Sequence, residues 1–377
     1  MSVTEKNEHQ KKDMAIPRLD AHGSLDAQFM QRCIELGRNG LGTTAPNPMV
    51  GALLVHKGKI VGEGHTSPFG GPHAEVNAIN AVKEKALLKE CTLYVTLEPC
   101  SHFGKTPPCA DLIVKHHIPR VVVGMPDPHH KVAGQGIERL KQAGCEVNVG
   151  VLEQACREHH RRFVTFHLKK RPYVVLKWAE SADGFMAPLK QYRETEPQPY
   201  WITNSLSRQL AHKWRSEEQA ILVGTGTALE DNPKLDVRDW SGTSPLRIVV
   251  DRHLAIPRDH HLLSGHPPTL VFSAKKGERM AKSGLTHVPL PEGPDAMAEL
   301  LRKLHQLNIQ SVMVEGGAKT LQSFIEADLW DEARIFRGPK NMDNGVPAPK
   351  IKGKCLAQKR IRHDLLTILR HDQEHHF

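Results

Sequence analysis

Two cysteines, a histidine and a glutamate in the first third of the chain have the residue types of a catalytic zinc site. Cys100 and Cys109 lie in the stretch EPCSHFGKTPPC, and His73 and Glu75 precede them in GGPHAEVNAI. Zinc favours thiolate and imidazole ligands, and a catalytic site leaves its fourth position to water. Because zinc makes that water acidic, an unligated glutamate can pass its proton to a departing amine. The residues therefore predict His73, Cys100 and Cys109 as metal ligands and Glu75 as the catalytic residue.

The order of these residues matches, with one difference, the signature of zinc-dependent nucleobase deaminases. That signature is His-x-Glu followed by Pro-Cys-x-x-Cys, whereas here eight residues separate Cys100 from Cys109. Positions i and i+2 of an ideal helix point about 200° apart, so His73 and Glu75 converge only if His73 lies in an irregular first turn. Both cysteines are expected at helix N-termini, where the helix dipole favours a thiolate. A structural zinc site stays possible, although it would normally need a fourth cysteine or histidine and would leave Glu75 without a role.

Alternating helices and strands are predicted to position these residues. Helical spacing is clear in DAQFMQRCIELGRNG, GGPHAEVNAINAVKEK, CADLIVKHH and GIERLKQAG, whereas CTLYVTL, RVVVGM and EVNVGVL are typical of strands. The segment MVGALLVHKGKIVGEGH predicts a hairpin with HKGK at its turn. The alternation begins again after the basic linker HLKKRPYVVLKW, so a domain boundary is expected near residue 170. We predict a flexible tail over 1–23, a first domain over 24–168 and a second over 169–377.

Composition excludes several classes of protein. The chain has 377 residues, of which 39% are hydrophobic, and no apolar run approaches the roughly 20 residues that cross a bilayer. The charged N-terminus lacks the apolar core of a secretory signal, and seven cysteines are too few for a disulfide scaffold. A cytoplasmic protein is therefore expected. The net charge of +9 allows nucleic-acid binding, but the 5% aromatic content offers few stacking platforms, so small phosphorylated ligands are the alternative explanation.

Four segments of the first domain resemble the deaminase half of the bifunctional riboflavin-biosynthesis deaminase/reductase family. They are APNPMVGALLV, GGPHAEVNAI, LYVTLEPCSHFGKTPPCADLI and GMPDPHHKVAGQGIERLKQAG, and together they span about residues 24–165. The resemblance implies a cytidine-deaminase-like α/β/α sandwich that hydrolytically deaminates 2,5-diamino-6-ribosylamino-4(3H)-pyrimidinone 5′-phosphate. It implies zinc on His73, Cys100 and Cys109 and a proton shuttle at Glu75. It also implies substrate contacts from Asn47, Lys105, Thr106 and Asp127.

The second domain resembles the reductase half of the same family, which has a dihydrofolate-reductase-like α/β fold. LKWAESADG, WIT, AILVGTGTALEDNPKLDVR and VEGGAKTL occur in the expected order. Adjacent glycines that open a helix let backbone N–H groups approach a pyrophosphate, and the resemblance makes this domain an NADPH site. The implied cofactor-binding residues are Glu180, Trp201, Thr227, Asp231, Gly317, Ala318, Lys319, Thr320, Leu321, Gln322 and Ser323. The implied substrate-binding residues are Arg215, Leu235, Arg238 and Glu315.

The chain departs from the family pattern at two places. His129 follows Asp127-Pro128 where asparagine is common, and the segment FMAPLKQYRETEPQPYWIT is longer than usual, with Pro199 in place of a serine. We expect the altered 185–200 loop still to close over NADPH, although a weakened reductase is the alternative. The resemblance also implies a homo-oligomer, either a dimer or a tetramer, and no nucleic-acid or membrane partner.

Two other functions stay open at this point. One is a zinc-dependent nucleic-acid base deaminase, motivated by the metal signature and the basic charge, but such enzymes must extrude and stack a base. The other is a non-enzymatic zinc module joined to a nucleotide-sensing domain. Neither gives a role both to Glu75 and to the second domain, so the bifunctional enzyme is the preferred hypothesis.

Overall fold

The structure is a computed structural model that describes residues 24–101, 107–128, 133–193, 196–275 and 283–372. The predicted tail over residues 1–23 lies outside the described residues, and so do Lys105, Thr106 and His129. No helix in the described ranges is both long enough and apolar enough to span a bilayer.

The first half of the described chain forms a sheet in the strand order β2-β1-β3-β4-β5. Its strands are β1 Gly51–His56, β2 Lys59–His65, β3 Thr92–Val95, β4 Arg120–Val123 and β5 Glu146–Val149. Its helices are α1 Leu25–Gly37, α2 Ala74–Ala81, α3 Cys109–Lys115, α4 Gln135–Gln142, α5 Glu153–His159 and α6 Arg161–Lys169. Strand β1 is antiparallel to β2 and β3, whereas β3, β4 and β5 are parallel. Each helix and strand predicted in this half is present, with ends that differ by a few residues.

Two glycine positions explain how α2 comes to lie against the sheet. The β1–β2 hairpin turns at Lys57 and Gly58, which both have positive φ, as the tight hairpin turn requires. Farther along β2, a Cβ atom at Gly64 would collide with the backbone of Ala74 and Ala78 in α2. The missing side chain therefore lets the first turn of α2 pack directly on the sheet, and this turn holds the predicted zinc ligand and catalytic glutamate.

The second half forms a larger sheet in the order β11-β10-β9-β8-β12-β6-β13-β16-β15, with β7 and β14 paired separately. The first strands are β6 Tyr173–Glu180, β7 Phe185–Ala187, β8 Ala220–Gly224, β9 Leu246–Val250, β10 Thr269–Ser273 and β11 Leu285–Pro289. The remaining strands are β12 Ser311–Val314, β13 Glu332–Arg337, β14 Val346–Pro347, β15 Lys354–Ile361 and β16 Asp364–Arg370. The helices are α7 Ser205–Glu217, α8 Thr225–Asp231, α9 Ala296–Gln306 and α10 Ala318–Glu326.

Both faces of this sheet are covered by helices, which explains its continuous apolar strands. Along β6, Val174 and Leu176 join a core with residues of α9 and α10, whereas Tyr173 and Val175 join a core with residues of α7 and α8. Strand residues alternate between faces with a period of two. The strands from β11 to β13 are parallel, and β16 and β15 add an antiparallel edge.

Buried polar contacts join the two halves. The Arg162 guanidinium on α6 donates two hydrogen bonds to the buried Glu218 carboxylate, at 2.8 and 2.5 Å. The Gln310 side-chain amide donates to the Pro46 carbonyl at 2.7 Å. Because Arg162 and Glu218 are shielded from water, their ion pair fixes the orientation of α6 on the second half.

Candidate active sites

The predicted zinc ligands converge at the N-termini of two helices. His73 is the N-cap residue of α2 and has an extended backbone (φ −72°, ψ 164°), so it lies outside the regular helix. This conformation meets the condition under which His73 and Glu75 can face one site. Cys109 is the first residue of α3, directly after Pro108. Cys100 was expected at a helix start, and this detail is wrong, because it lies in the loop after β3.

Although Cys100 is not helical, its sulfur lies against the N-terminus of α3. The Cys109 backbone N–H donates to Cys100 Sγ at 3.3 Å, and the Ala110 N–H donates to the Cys100 carbonyl at 3.1 Å. Hydrogen bonds from Cys109 and His73 lower the pKa of the Cys100 thiol, despite its burial. The site therefore favours a thiolate, which is the form that binds metals.

The distances among these atoms fit a tetrahedral zinc ion. His73 Nδ1 lies 3.7 Å from Cys100 Sγ and 3.3 Å from Cys109 Sγ. All three ligand atoms lie within 4.8 Å of one another. Ordinary Zn–S and Zn–N bond lengths place tetrahedral S and N ligands about 3.6 Å apart. Three protein ligands of this kind suit zinc and leave one coordination position for water.

Glu75 is positioned to hold or release a proton near neutral pH. It is the second residue of α2, and it is only 4% exposed. Burial, and after it the nearby Cys100 thiolate, raise the pKa of its carboxyl to about 7. A general acid–base group is most effective when its pKa lies near the working pH.

Glu98, which the sequence analysis did not single out, organises the wall of this site. Its carboxylate accepts backbone N–H hydrogen bonds at 2.9 to 3.3 Å from two residues between β4 and α4 and from two in the first turn of α4. The donors are Asp127, Gly134, Gly136 and Ile137. Since Glu98 is two residues from Cys100, it ties the predicted substrate contact Asp127 to the metal-binding loop. The position of Glu98 between strand β3 and the Pro99-Cys100 sequence is the feature that could have indicated a role in this site.

Asn47 lies in the loop that leads into β1. Its N–H donates to the Thr44 carbonyl at 2.9 Å, and Val50 farther along bonds to Thr66. Ser67 follows Thr66 in the chain, and its N–H donates to the carbonyl of Pro72, the residue directly before His73. The Asn47 loop and the His73 turn are therefore connected by a short series of hydrogen bonds. The other two predicted deaminase contacts, Lys105 and Thr106, lie outside the described residues.

The second half contains a cleft of about 490 Å³. Its lining includes seven of the residues predicted to bind cofactor or substrate, namely Trp201, Thr227, Asp231, Arg215, Leu235, Arg238 and Glu315. Lys177, Arg208, His212 and Lys234 also line it, and no sequence pattern indicated these four. With more basic than acidic side chains, the cleft is electropositive and suits ligands that carry phosphates.

A buried ion pair lies inside the cleft. Arg215 Nε and Nη2 donate to the Glu315 carboxylate at 2.9 and 2.7 Å, and Lys177 Nζ lies 3.8 Å from the same carboxylate. Burial alone would raise the pKa of Glu315, but Arg215 and Lys177 lower it to about 2. Burial and the neighbouring arginines lower the pKa of His212 to about 4, so His212 is neutral at pH 7.

The segment from Gly317 to Ser323 lies beside the cleft. Gly317 is the N-cap of α10 with φ 73°, and Cβ atoms added at Gly316 or Gly317 would come within 3.2 Å of Thr227 Oγ1. The N-terminus of α10 therefore meets the cleft at Thr227, while Ala318, Lys319, Thr320, Gln322 and Ser323 follow along the helix. Leu321 is fully buried in the core, and its N–H donates to the Gly317 carbonyl. Its side chain therefore supports the helix and does not face the cleft.

Glu180 is also outside the cleft lining. Its carboxylate accepts hydrogen bonds from the Trp178 indole at 3.0 Å and from Arg337 at 2.7 and 2.9 Å. The longer loop over residues 185–200 does reach the cleft, because Pro199 lines it. Arg193 fastens this loop to α8, donating to Asp231 at 2.5 Å and to Glu230 at 2.8 Å. Trp201, 54% exposed, stacks under the Arg208 guanidinium at 4.5 Å.

Two family models match the chain, one in each half. The cytidine and deoxycytidylate deaminase zinc-binding region matches residues 24–125, and the RibD C-terminal domain matches residues 172–352. The two matches cover the parts of the chain that contain the zinc-ligand cluster and the reductase cleft.

Curated relatives match over most of their length. The riboflavin biosynthesis protein RibD of Aquifex aeolicus is 42% identical over 327 residues, which are 85% of this chain and 89% of the relative. The protein of the same name from Bacillus amyloliquefaciens is 41% identical over 334 residues, which are 87% of this chain and 88% of the relative.

Solved structures agree with this result. A Thermotoga maritima diaminohydroxyphosphoribosylaminopyrimidine deaminase/5-amino-6-(5-phosphoribosylamino)uracil reductase superposes with a TM-score of 0.82 at 36% identity, covering 92% of this chain and 98% of that one. Acinetobacter baumannii RibD superposes with a TM-score of 0.83 at 32% identity, covering 93% and 99% respectively. The predicted fold class, with a deaminase-like first half and a reductase second half, is confirmed.

Proposed function

The chain belongs to the RibD family of bifunctional riboflavin-biosynthesis deaminase/reductases, and we propose that its two sites act in turn on one phosphorylated pyrimidine. The first site deaminates 2,5-diamino-6-ribosylamino-4(3H)-pyrimidinone 5′-phosphate, and the second reduces the ribosyl chain of the product with NADPH. The single observation that carries the deaminase proposal is the convergence of His73, Cys100 and Cys109 beside the buried Glu75.

In the deaminase site, the three metal ligands and Glu75 have separate roles. His73, Cys100 and Cys109 would hold a zinc ion, which when bound lowers the pKa of water so that it can lose a proton near neutral pH. The Glu75 carboxylate accepts a proton from the attacking water and delivers it to the 2-amino group of the ring. A C–O bond forms, the C–N bond breaks and ammonia leaves. The pKa of Glu75 near 7 suits both transfers.

Glu98 and the segment it holds orient the substrate. Because the carboxylate binds four backbone amides, Asp127 is kept in a fixed position relative to Cys100. We propose that Asp127 and Asn47 contact the pyrimidine and that Lys105 and Thr106 bind its phosphate. Holding reacting groups in place in this way accounts for a large share of enzymatic rate enhancement.

In the reductase site, basic residues would bind the phosphate, and Thr227 and the N-terminus of α10 would hold the cofactor. We propose that Arg215 and Arg238 bind the substrate phosphate, with Glu315 fixing the direction of the Arg215 guanidinium. NADPH supplies the hydride. Lys177, whose pKa burial lowers, lies beside Glu315 and can donate a hydrogen bond to the open-chain sugar. Trp201 and the Gly317–Ser323 segment, apart from the buried Leu321 side chain, are proposed to contact NADPH.

Family membership supports the bifunctional enzyme over a nucleic-acid base deaminase or a non-enzymatic zinc module. The basic net charge suits the two anionic ligands of this proposal, the phosphorylated pyrimidine and NADPH. The domain limits near residue 170, a cytoplasmic location and homo-oligomeric assembly stay predictions.

Glu75→Gln tests the deaminase assignment. The variant should bind one zinc per chain but release ammonia from the diaminopyrimidine phosphate at least about 100-fold more slowly. Glu63→Gln is the matched control, because Glu63 lies on β2 in a surface pair with Arg32, and it should keep full activity. Full ammonia release by Glu75→Gln would contradict the assignment.

A further inference from the structure

Arg247 is a buried arginine that interacts electrostatically with Asp236 but does not form an ion pair with it. It lies in β9 and is only 1% exposed. Among the residues that the structure describes, no carboxylate lies within salt-bridge distance of its guanidinium. Because a buried charge is costly unless it is compensated, this position needs a specific explanation.

Neutral oxygens accept all of its hydrogen bonds. Arg247 donates to Thr269 Oγ1 (3.0 Å), the Lys234 carbonyl (3.3 Å), the His261 carbonyl (3.0 Å), Ser264 Oγ (3.4 Å) and the Pro267 carbonyl (2.5 Å). Lys234 and His261 both line the reductase cleft. One buried guanidinium therefore joins two separate stretches of the cleft wall to the central sheet.

The stretch that begins at Lys234 leads directly to the two arginines proposed to bind phosphate. Leu235 has a left-handed backbone (φ 54°), which is disfavoured for leucine and persists only where neighbouring contacts hold it. The next residue, Asp236, accepts from Arg215 through its carbonyl at 3.0 Å and from Arg238 through its carboxylate at 2.6 Å. Arg247 is thus connected through two residues of backbone to both arginines.

We propose that Arg247 is a positioning residue for the phosphate-binding wall of the reductase cleft, which we define as residues 234–238. It fixes the Lys234 carbonyl, and through Asp236 it sets the placement of Arg215 and Arg238. Its positive charge, only partly offset by Asp236, adds to the positive potential of the cleft, and an anionic ligand bound there lowers the remaining cost of burying that charge. This inference rests on the proposed reductase function.

The test compares three variants of the full-length enzyme in the reductase reaction. Arg247→Lys keeps the charge but cannot reach both the Lys234 and the His261 carbonyls. Arg247→Gln also removes the charge. The matched control is Thr269→Val, which deletes one acceptor of Arg247 on β10, outside the cleft lining. The deaminated substrate is supplied with and without its 5′-phosphate, and unfolding is followed in parallel by tryptophan fluorescence.

We expect Arg247→Lys and Arg247→Gln to raise KM for the phosphorylated substrate about tenfold or more, with kcat changed less than threefold. KM for the dephosphorylated substrate should change less than threefold, and ammonia release by the deaminase half should be unchanged. Thr269→Val should lower stability while leaving KM as in the wild type.

Three outcomes would overturn the inference: an unchanged KM in both Arg247 variants, an equal rise for the two substrates, or an equal rise in Thr269→Val. If Arg247→Lys gives no soluble protein, Arg247→Gln carries the test, since neutralising a cation that forms no ion pair with a described residue leaves no carboxylate without its salt-bridge partner. Absence of NADPH oxidation by the wild-type enzyme would instead contradict the proposed function itself.

Discussion

Replacing Arg215 with methionine is expected to destabilise the reductase half by about 3 kcal/mol at neutral pH. The reason is the buried Glu315 carboxylate, whose remaining cationic partner among the described residues would be Lys177, 3.8 Å away. Arg215 and Lys177 lower the pKa of Glu315 from its ordinary value of 4.5 to about 2, against the opposing effect of burial. Each pKa unit corresponds to about 1.4 kcal/mol, so the net effect of all its neighbours corresponds to about 3 kcal/mol, and Arg215 contributes the largest share among the cations.

The sign of the pH dependence follows from the direction of that change. A carboxyl whose pKa is lower in the folded state stabilises the fold above its unfolded pKa, and the contribution is lost as the pH falls. The wild-type protein should therefore lose this stability between about pH 4.5 and pH 2. Arg215→Met should already lack it at pH 7 and should show a flatter acid dependence.

Tryptophan fluorescence makes the assay specific for the reductase half. All five tryptophans lie there, at positions 178, 201, 214, 240 and 330, so a urea titration of the full-length chain reports the unfolding of that half. Ammonia release in the same samples shows that the deaminase half is intact. The double variant Arg215→Met/Glu315→Gln should regain at least half of the lost stability, because it removes the orphan charge. A loss below about 1 kcal/mol in the single variant, or no recovery in the double variant, would refute the reasoning.

Two further results are expected. Cys109→Ser should lose zinc and ammonia release, because a hydroxyl is a poor zinc ligand, while NADPH oxidation with deaminated substrate stays within twofold of wild type. Glu98→Gln should retain zinc but slow deamination about tenfold or more, since one amide oxygen cannot replace a carboxylate that accepts four backbone N–H groups; metal analysis and ammonia assays check both variants.

Each of these variants has its own control. Cys145→Ser is the control for Cys109→Ser. Because Cys145 lies outside the zinc-ligand cluster, this variant should still bind zinc. Glu146→Gln is the control for Glu98, since Glu146 is an exposed partner of Arg120. Loss of NADPH oxidation in Cys109→Ser would mean that the two halves depend on each other more than their separate sites indicate. An undiminished deamination rate in Glu98→Gln would show that the Glu98 hydrogen bonds do not orient substrate.

The zinc cluster and the alternation of helices and strands could be predicted because their signals are local. Pro-Cys after a strand, a histidine before a helix and the Lys57-Gly58 turn each constrain the backbone within a few residues. From the sequence, His73 and Glu75 could face one site only if His73 lay outside the regular helix. The extended N-cap conformation of His73 meets that condition. Cys100 was misplaced because its contact with the start of α3 depends on how the loop folds back, which no short pattern specifies.

Long-range polar contacts could not be predicted for a physical reason. Arg247 is a lone charge within the apolar strand LRIVV, and its partners come from residues 13 to 22 positions away. Glu98 binds amides about 30 to 40 positions away, and Lys177 meets Glu315 only across paired strands. In each case the residue type does not show whether the side chain is exposed or buried. Its partners are set by the tertiary fold.

The order of the two reactions tests the central claim most directly. The wild-type enzyme is given the diaminopyrimidine phosphate with and without NADPH, and ammonia and NADPH are measured over time in the same samples. The account predicts ammonia release at the same rate without NADPH, followed by NADPH oxidation only after a lag that matches deamination. Glu75→Gln should abolish that oxidation unless the deaminated substrate is supplied. NADPH oxidation without any deamination would contradict the account.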